Sequence, residues 1–186
     1  LLVTVTYALF TANKTVTNHL TAGNLNIQLV RESGEKKVLD EKGYLKTESL
    51  AEQNFTNDST ENIFGIENGE YAVPGAVYQA KMKIVNGKNS EGTDRRTVAF
   101  GYEVYLSLTI GEKAEDISLA NDLIVTITDE NDEVISSGKL SEYQNGIANS
   151  KVKILEGIMT KLDVSKSFTI KVEFPSESNN DAQNGK

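Results

Sequence analysis

The chain of 186 residues has no cysteine, two prolines and one histidine. Without cysteine there is no disulfide staple, so stability has to come from a core or from assembly. No run of 18 apolar residues occurs, which excludes a membrane-spanning helix in this sequence. Positive charge is also scarce, at 19 Lys and Arg against 27 Asp and Glu, for a net charge of -8. The densest basic cluster, Arg95-Arg96, stands beside Asp94 and is too small to track a phosphate backbone. Nucleic acid is therefore excluded as a partner.

Catalytic chemistry is equally thin. His19 is followed by Leu-Thr-Ala-Gly, so the H-E-x-x-H zinc arrangement is absent, and no nucleophile elbow lies near it. It reads as a loop or interface residue. The acidic run Asp129-Glu130-Asn131-Asp132-Glu133 offers oxygen ligands but lacks EF-hand spacing, and reads as a solvated hairpin tip. Tyr71, Tyr78, Tyr102 and Tyr105 would suit a carbohydrate groove, yet tyrosines at strand period more often face a core or sheet. Lys81, Lys83 and Lys171 alternate with apolar neighbours and so point to water, which disfavours a Lys-to-Asn cross-link inside the domain. No residue stands out as catalytic, metal-binding or cofactor-binding, and the chain does not read as an enzyme.

What is present is a set of strands. Residues 1–10 are almost uninterruptedly apolar, with Leu1, Val3, Val5, Tyr7 and Leu9 on one face and a mixed face opposite. Thr4, Thr6 and Tyr7 argue against the heart of a signal peptide. Alternation predicts strands over 25–30, 76–85, 97–110, 123–128, 133–136, 152–155 and 167–174. Tyr78, Ala80, Met82 and Ile84 should share a buried face, as should Phe168, Ile170, Val172 and Phe174. Ile63, Phe64 and Ile66 should pin a connection to the core. Residues 31–37 read as a charged hairpin or loop, 44–64 as an irregular connection with a short helix possible around 45–53, and Gly101 as a bulge or close backbone approach. The sum is an all-β antiparallel β-sandwich with long connecting loops, residues 13–186, preceded by an arm, residues 1–12.

Three segments carry a family resemblance. Thr6-Tyr7-Ala8-Leu9-Phe10-Thr11 is followed by Leu20-Thr21-Ala22-Gly23-Asn24-Leu25; Val73-Pro74-Gly75 by Lys83-Ile84-Val85-Asn86-Gly87; and Phe168 to Phe174 by Asn180-Asp181-Ala182-Gln183-Asn184-Gly185. Together they resemble the TasA/camelysin family of secreted bacterial fibre-forming proteins. The resemblance implies a jelly-roll sandwich, a place in the biofilm matrix or at the cell surface, and head-to-tail polymerisation with copies of itself. An accessory assembly or anchoring protein is a possible further partner. In that reading Leu1, Val3, Val5, Tyr7 and Leu9 are the pegs of a donor strand, and Ala22 and Gly23 form the junction between arm and body. The family's last strand follows its Gln-Gly loop, whereas this sequence stops at Lys186, which implies an open groove for a neighbour's arm; the competing expectation is that the arm folds back into its own domain. Two rivals remain. One is a monomeric surface module that binds carbohydrate or host protein through loops 31–62 and 86–96. The weaker one is a secreted metalloprotease, for which no zinc motif is present.

Overall fold

A computed structural model describes residues 9–11, 27–55, 62–66, 72–87, 99–109, 119–144, 150–160 and 162–176. Within them run ten strands: β1 (Leu9–Thr11), β2 (Ile27–Leu39), β3 (Leu45–Leu50), β4 (Gln53–Phe55), β5 (Val77–Asn86), β6 (Phe100–Thr109), β7 (Ile124–Thr128), β8 (Val134–Lys139), β9 (Ser150–Met159) and β10 (Ser165–Glu173). Every pairing is antiparallel. The large sheet runs β3-β2-β5-β10-β7-β8, with β4 also on β2, and the small sheet runs β1-β6-β9. The two sheets pack face to face, so the chain is an all-β sandwich.

Period-two alternation builds the core. Tyr78, Ala80, Met82 and Ile84 of β5 are buried beside Phe168, Ile170 and Val172 of β10 and Val125 and Ile127 of β7. Phe168 opposes Met82, and Ile170 lies between Ala80 and Ile127. The small sheet adds Phe100, Leu106, Ile154 and Met159 to the same cluster. Each large side chain so buried contributes about 1.5–3 kcal/mol before ordering costs. Pro74 and Gly75 (φ 89°) shape the turn into β5, closed by the Ala76 amide donating to the Val73 carbonyl at 2.8 Å.

Four expectations fail, each for a local reason. Residues 31–37 are not a loop but the middle of β2, which carries an extra residue, Glu32, between Arg31 and Ser33. One inserted residue reverses the alternation, so a continuous strand looks irregular in sequence. Residues 45–53 form β3 and the start of β4, not a helix, because the Asp40–Tyr44 turn folds them back on β2. The third difference is length: β9 extends well beyond 152–155, and the fourth concerns Gly101.

Gly101 sits in regular register opposite Ile158, and the irregularity of that ladder falls at Val104/Tyr105. The close approach belongs to Gly34, where a Cβ would meet the Gln79 carbonyl oxygen at 2.5 Å.

Candidate functional site

The N-terminal strand is described only in part. Leu1, Val3, Val5, Tyr7, Ala22 and Gly23 lie outside the described residues, as do His19, Tyr71 and Arg95-Arg96. Leu9 belongs to β1, where Leu9, Phe10 and Thr11 oppose Thr109, Leu108 and Ser107 of β6. On its other side β6 is paired with β9 over nearly its whole length. On the β1 side, among the described residues, it is paired only over those three positions.

The most heavily built polar centre lies at the opposite margin, under β2, β3 and β4. Arg31 keeps the inward phase of Ile27 and Leu29, the extra residue Glu32 brings Lys36 inward as well, and both are buried. Arg31 donates from Nε to the Ala51 carbonyl at 3.0 Å and from a terminal nitrogen to the Ile63 carbonyl at 2.9 Å, and its guanidinium lies 5.9 Å from the Phe55 ring centre. Lys36 Nζ donates to the Gly65 carbonyl at 3.1 Å and pairs with Glu48 at 3.6 Å. Ile63 and Phe64 are buried, as expected, and they hold a plug in place over the two cations. Asn62 shapes that plug: its Oδ1 accepts from the Phe64 and Ile66 amides, while its Nδ2 donates to the Ile66 carbonyl. These bonds clamp backbone and leave no charged group aimed at an open cavity. Sequence reading passed over both residues, since a Lys or Arg among charged neighbours looks solvated; Gly34, Lys36 and Val38 at period two were the available signal.

The acidic run is the tip of the β7–β8 hairpin. Asp129 Oδ1 accepts from the amides of Asn131 (2.8 Å) and Glu133 (2.9 Å), and Asp132 adopts φ 62°. These backbone amides hold the Asp129 carboxyl below its ordinary pKa. The β2–β3 hairpin repeats the device: Asp40 Oδ1 accepts from Lys42 (2.9 Å) and Tyr44 (2.8 Å), with Gly43 at φ 82°. Among the described residues, no group of three or more His, Cys, Asp or Glu is arranged to hold a metal ion.

An open groove of about 270 Å³ crosses the large sheet beside this tip, lined among others by Ser33, Glu35, Gln79, Lys81, Glu130 and Thr169. Among the described residues, no tyrosine of the candidate set lines it. Tyr78 is buried, Tyr102 covers the bare backbone of Gly157, and Tyr105 donates to Glu103 at 2.7 Å. Lys81 is exposed and Lys83 and Lys171 are half-buried; they pair with Glu32, Glu52 and Glu173 in turn.

The two margins of the large sheet differ. In antiparallel ladders, pairs that exchange hydrogen bonds alternate with pairs whose amides point away. The Leu140 amide donates to the Leu123 carbonyl, so at Ser137 and Lys139 the amides of β8 face outward. Glu142 covers one of them, accepting from the Lys139 amide at 3.2 Å, and a bulge near Ile135 interrupts the rest. That edge is blunted. On β3 the Asp40 amide donates to the Tyr44 carbonyl, so Leu45, Thr47 and Ser49 face outward. No hydrogen bond among the described residues engages the amides of Thr47 or Ser49. No protein-family model matches the chain, and searches of curated proteins and of solved structures return no match.

Proposed function

We propose that the chain is a non-catalytic structural subunit of an extracellular bacterial fibre, in which the N-terminal strand of one copy completes a sheet of the next. The observation that carries this reading is the place of β1, on the edge of the small sheet beside β6. Three residues of an otherwise apolar N-terminal segment sit on the edge of a ten-residue strand. A strand on a sheet edge can be exchanged for a ladder on a neighbour, where the apolar face of this segment would add buried side chains. A heterologous contact of this kind does not close, and it produces filaments. The short motifs shared with the TasA/camelysin pattern support the same reading, together with its jelly-roll strand path and its place in the biofilm matrix or at the cell surface.

Negative-stain microscopy of the full chain beside a version lacking residues 1–10 tests it. Filaments in the first sample only are expected, and Val3→Asp should suppress them while leaving the circular dichroism spectrum unchanged. Filaments that persist without residues 1–10 would overturn the donor-strand mechanism. The groove beside Lys81 favours a second reading, a surface module that holds a polar ligand such as carbohydrate. That reading predicts a monomer and a Lys81-dependent signal on a glycan array.

A further inference from the structure

The β3 margin of the large sheet, uncovered among the described residues at Thr47 and Ser49, has a sequence suited to meeting itself. Thr47 is the central member of the three outward-facing residues Leu45, Thr47 and Ser49. Two β3 strands brought together antiparallel about a two-fold axis through Thr47 place Leu45 opposite the partner's Ser49, and Thr47 opposite Thr47. Outward-facing residues thus meet outward-facing residues, which is the phase that inter-chain hydrogen bonds require. The same register sets Lys46 opposite the partner's Glu48, twice. It also sets Tyr44, one of the most exposed large apolar residues among those described, opposite the partner's Leu50. Opposite charges and apolar pairs directly across a ladder are favourable, and like charges are not.

Within one copy, Lys46 Nζ already lies 3.2 Å from Glu48 Oε1, and Glu48 is shared with the buried Lys36. In the pair, each Lys46 would stand between two Glu48 carboxylates. Shifting the register by two residues would put Lys46 against Lys46 or Glu48 against Glu48. Charge therefore selects one alignment.

We propose that β3 is a self-association edge: two copies pair their Leu45–Leu50 strands antiparallel about a two-fold axis at Thr47, continuing the large sheet across both. The contact is isologous and closes as a dimer. It makes no use of the N-terminal strand, so in a fibre it would join subunits side by side while the arm joins them end to end. The other margin is unsuited to this role, since Glu142 and the bulge occupy it.

Because the chain lacks cysteine, single cysteines report the register cleanly. In full-length protein under mild oxidation, Thr47→Cys should form a disulfide dimer roughly tenfold faster than Ser49→Cys. Only position 47 meets its own copy within disulfide reach. Both positions are exposed, so random collision would link them equally. Thr47→Pro removes an outward amide without touching the β2–β3 hydrogen bonds. It should abolish concentration-dependent dimerisation in sedimentation velocity with an unchanged melting temperature. Lys46→Glu should weaken the dimer, and its penalty should shrink in high salt. Equal cross-linking at 47 and 49 would overturn the proposal, as would a folded Thr47→Pro variant that dimerises like the parent. Removal of residues 1–10 should leave the cross-linking ratio unchanged, which separates this contact from the arm.

Discussion

Lys36 and Glu48 oppose each other across β2 and β3, yet the lysine is buried while the carboxylate stays half in water. The asymmetry defines the role of each. Lys36 fastens the plug through the Gly65 carbonyl, and Glu48 balances its charge from the rim. Replacing a buried ion by an apolar residue of similar shape is often neutral, whereas truncation leaves a void. Lys36→Met should hold stability within about 1 kcal/mol of the parent, and Lys36→Ala should lose about 2 kcal/mol or more. Urea midpoints compare the two.

Arg31 is different because one planar group serves two carbonyls in two segments. A lysine cannot span both. Arg31→Lys should therefore cost about 2–3 kcal/mol, with amide exchange rising first in residues 51–55 and 62–66. Equal protection of those segments in the variant would contradict the clamp.

The twin hairpins give a matched pair of substitutions. Gly43 takes its left-handed conformation freely, whereas Asp132 takes it against the preference of an L-residue. Asp132→Gly should raise stability by roughly 0.5–1 kcal/mol, and Gly43→Ala should lower it by about 1 kcal/mol. Thermal melts of both variants decide the point.

Several carboxyls titrate below their ordinary range. Backbone hydrogen bonds hold Asp129 and Asp163 down, the latter through the Thr160 amide, and hydrogen bonding to Lys46 followed by the charge of Lys36 does so for Glu48. A carboxyl depressed on folding contributes stability that is complete above its unfolded pKa and is lost as pH falls through the folded value. Stability should thus be level from neutrality down to the ordinary carboxylate range and decline below it. Asp129→Asn keeps an acceptor for the turn but removes that titration, so its stability should fall less steeply in acid. Urea midpoints at a series of acid pH values read this directly.

The sandwich was legible where alternation was unbroken. β5 and β10 present the buried sets expected of them, down to Phe174, and the run from Asp129 to Glu133 is the hairpin tip its composition suggested. Legibility failed at β2. There the single extra residue Glu32 shifted the apolar face out of phase, hid the strand, and with it hid the inward turn of Arg31 and Lys36. It failed again at β3, where Lys46-Thr47-Glu48 has no apolar pattern because an edge strand over two buried cations needs none. The outward phase of Thr47 is set by the turn at Asp40, and no local property of residues 45–50 announces it.

β10, last of the described strands in chain order, lies at the centre of the large sheet, between β5 and β7. Ile170 reaches back to Ala80 and to Ile127, so both halves of the sheet depend on a segment synthesised after either of them. A nascent chain halted before Ser165 holds two half-sheets with an apolar slot between them. Closure of the large sheet must wait for β10, and pairings between residues so far apart in sequence form slowly. Until β10 is made, β5 and β7 each keep an unfilled edge, so the large sheet cannot be closed one piece at a time.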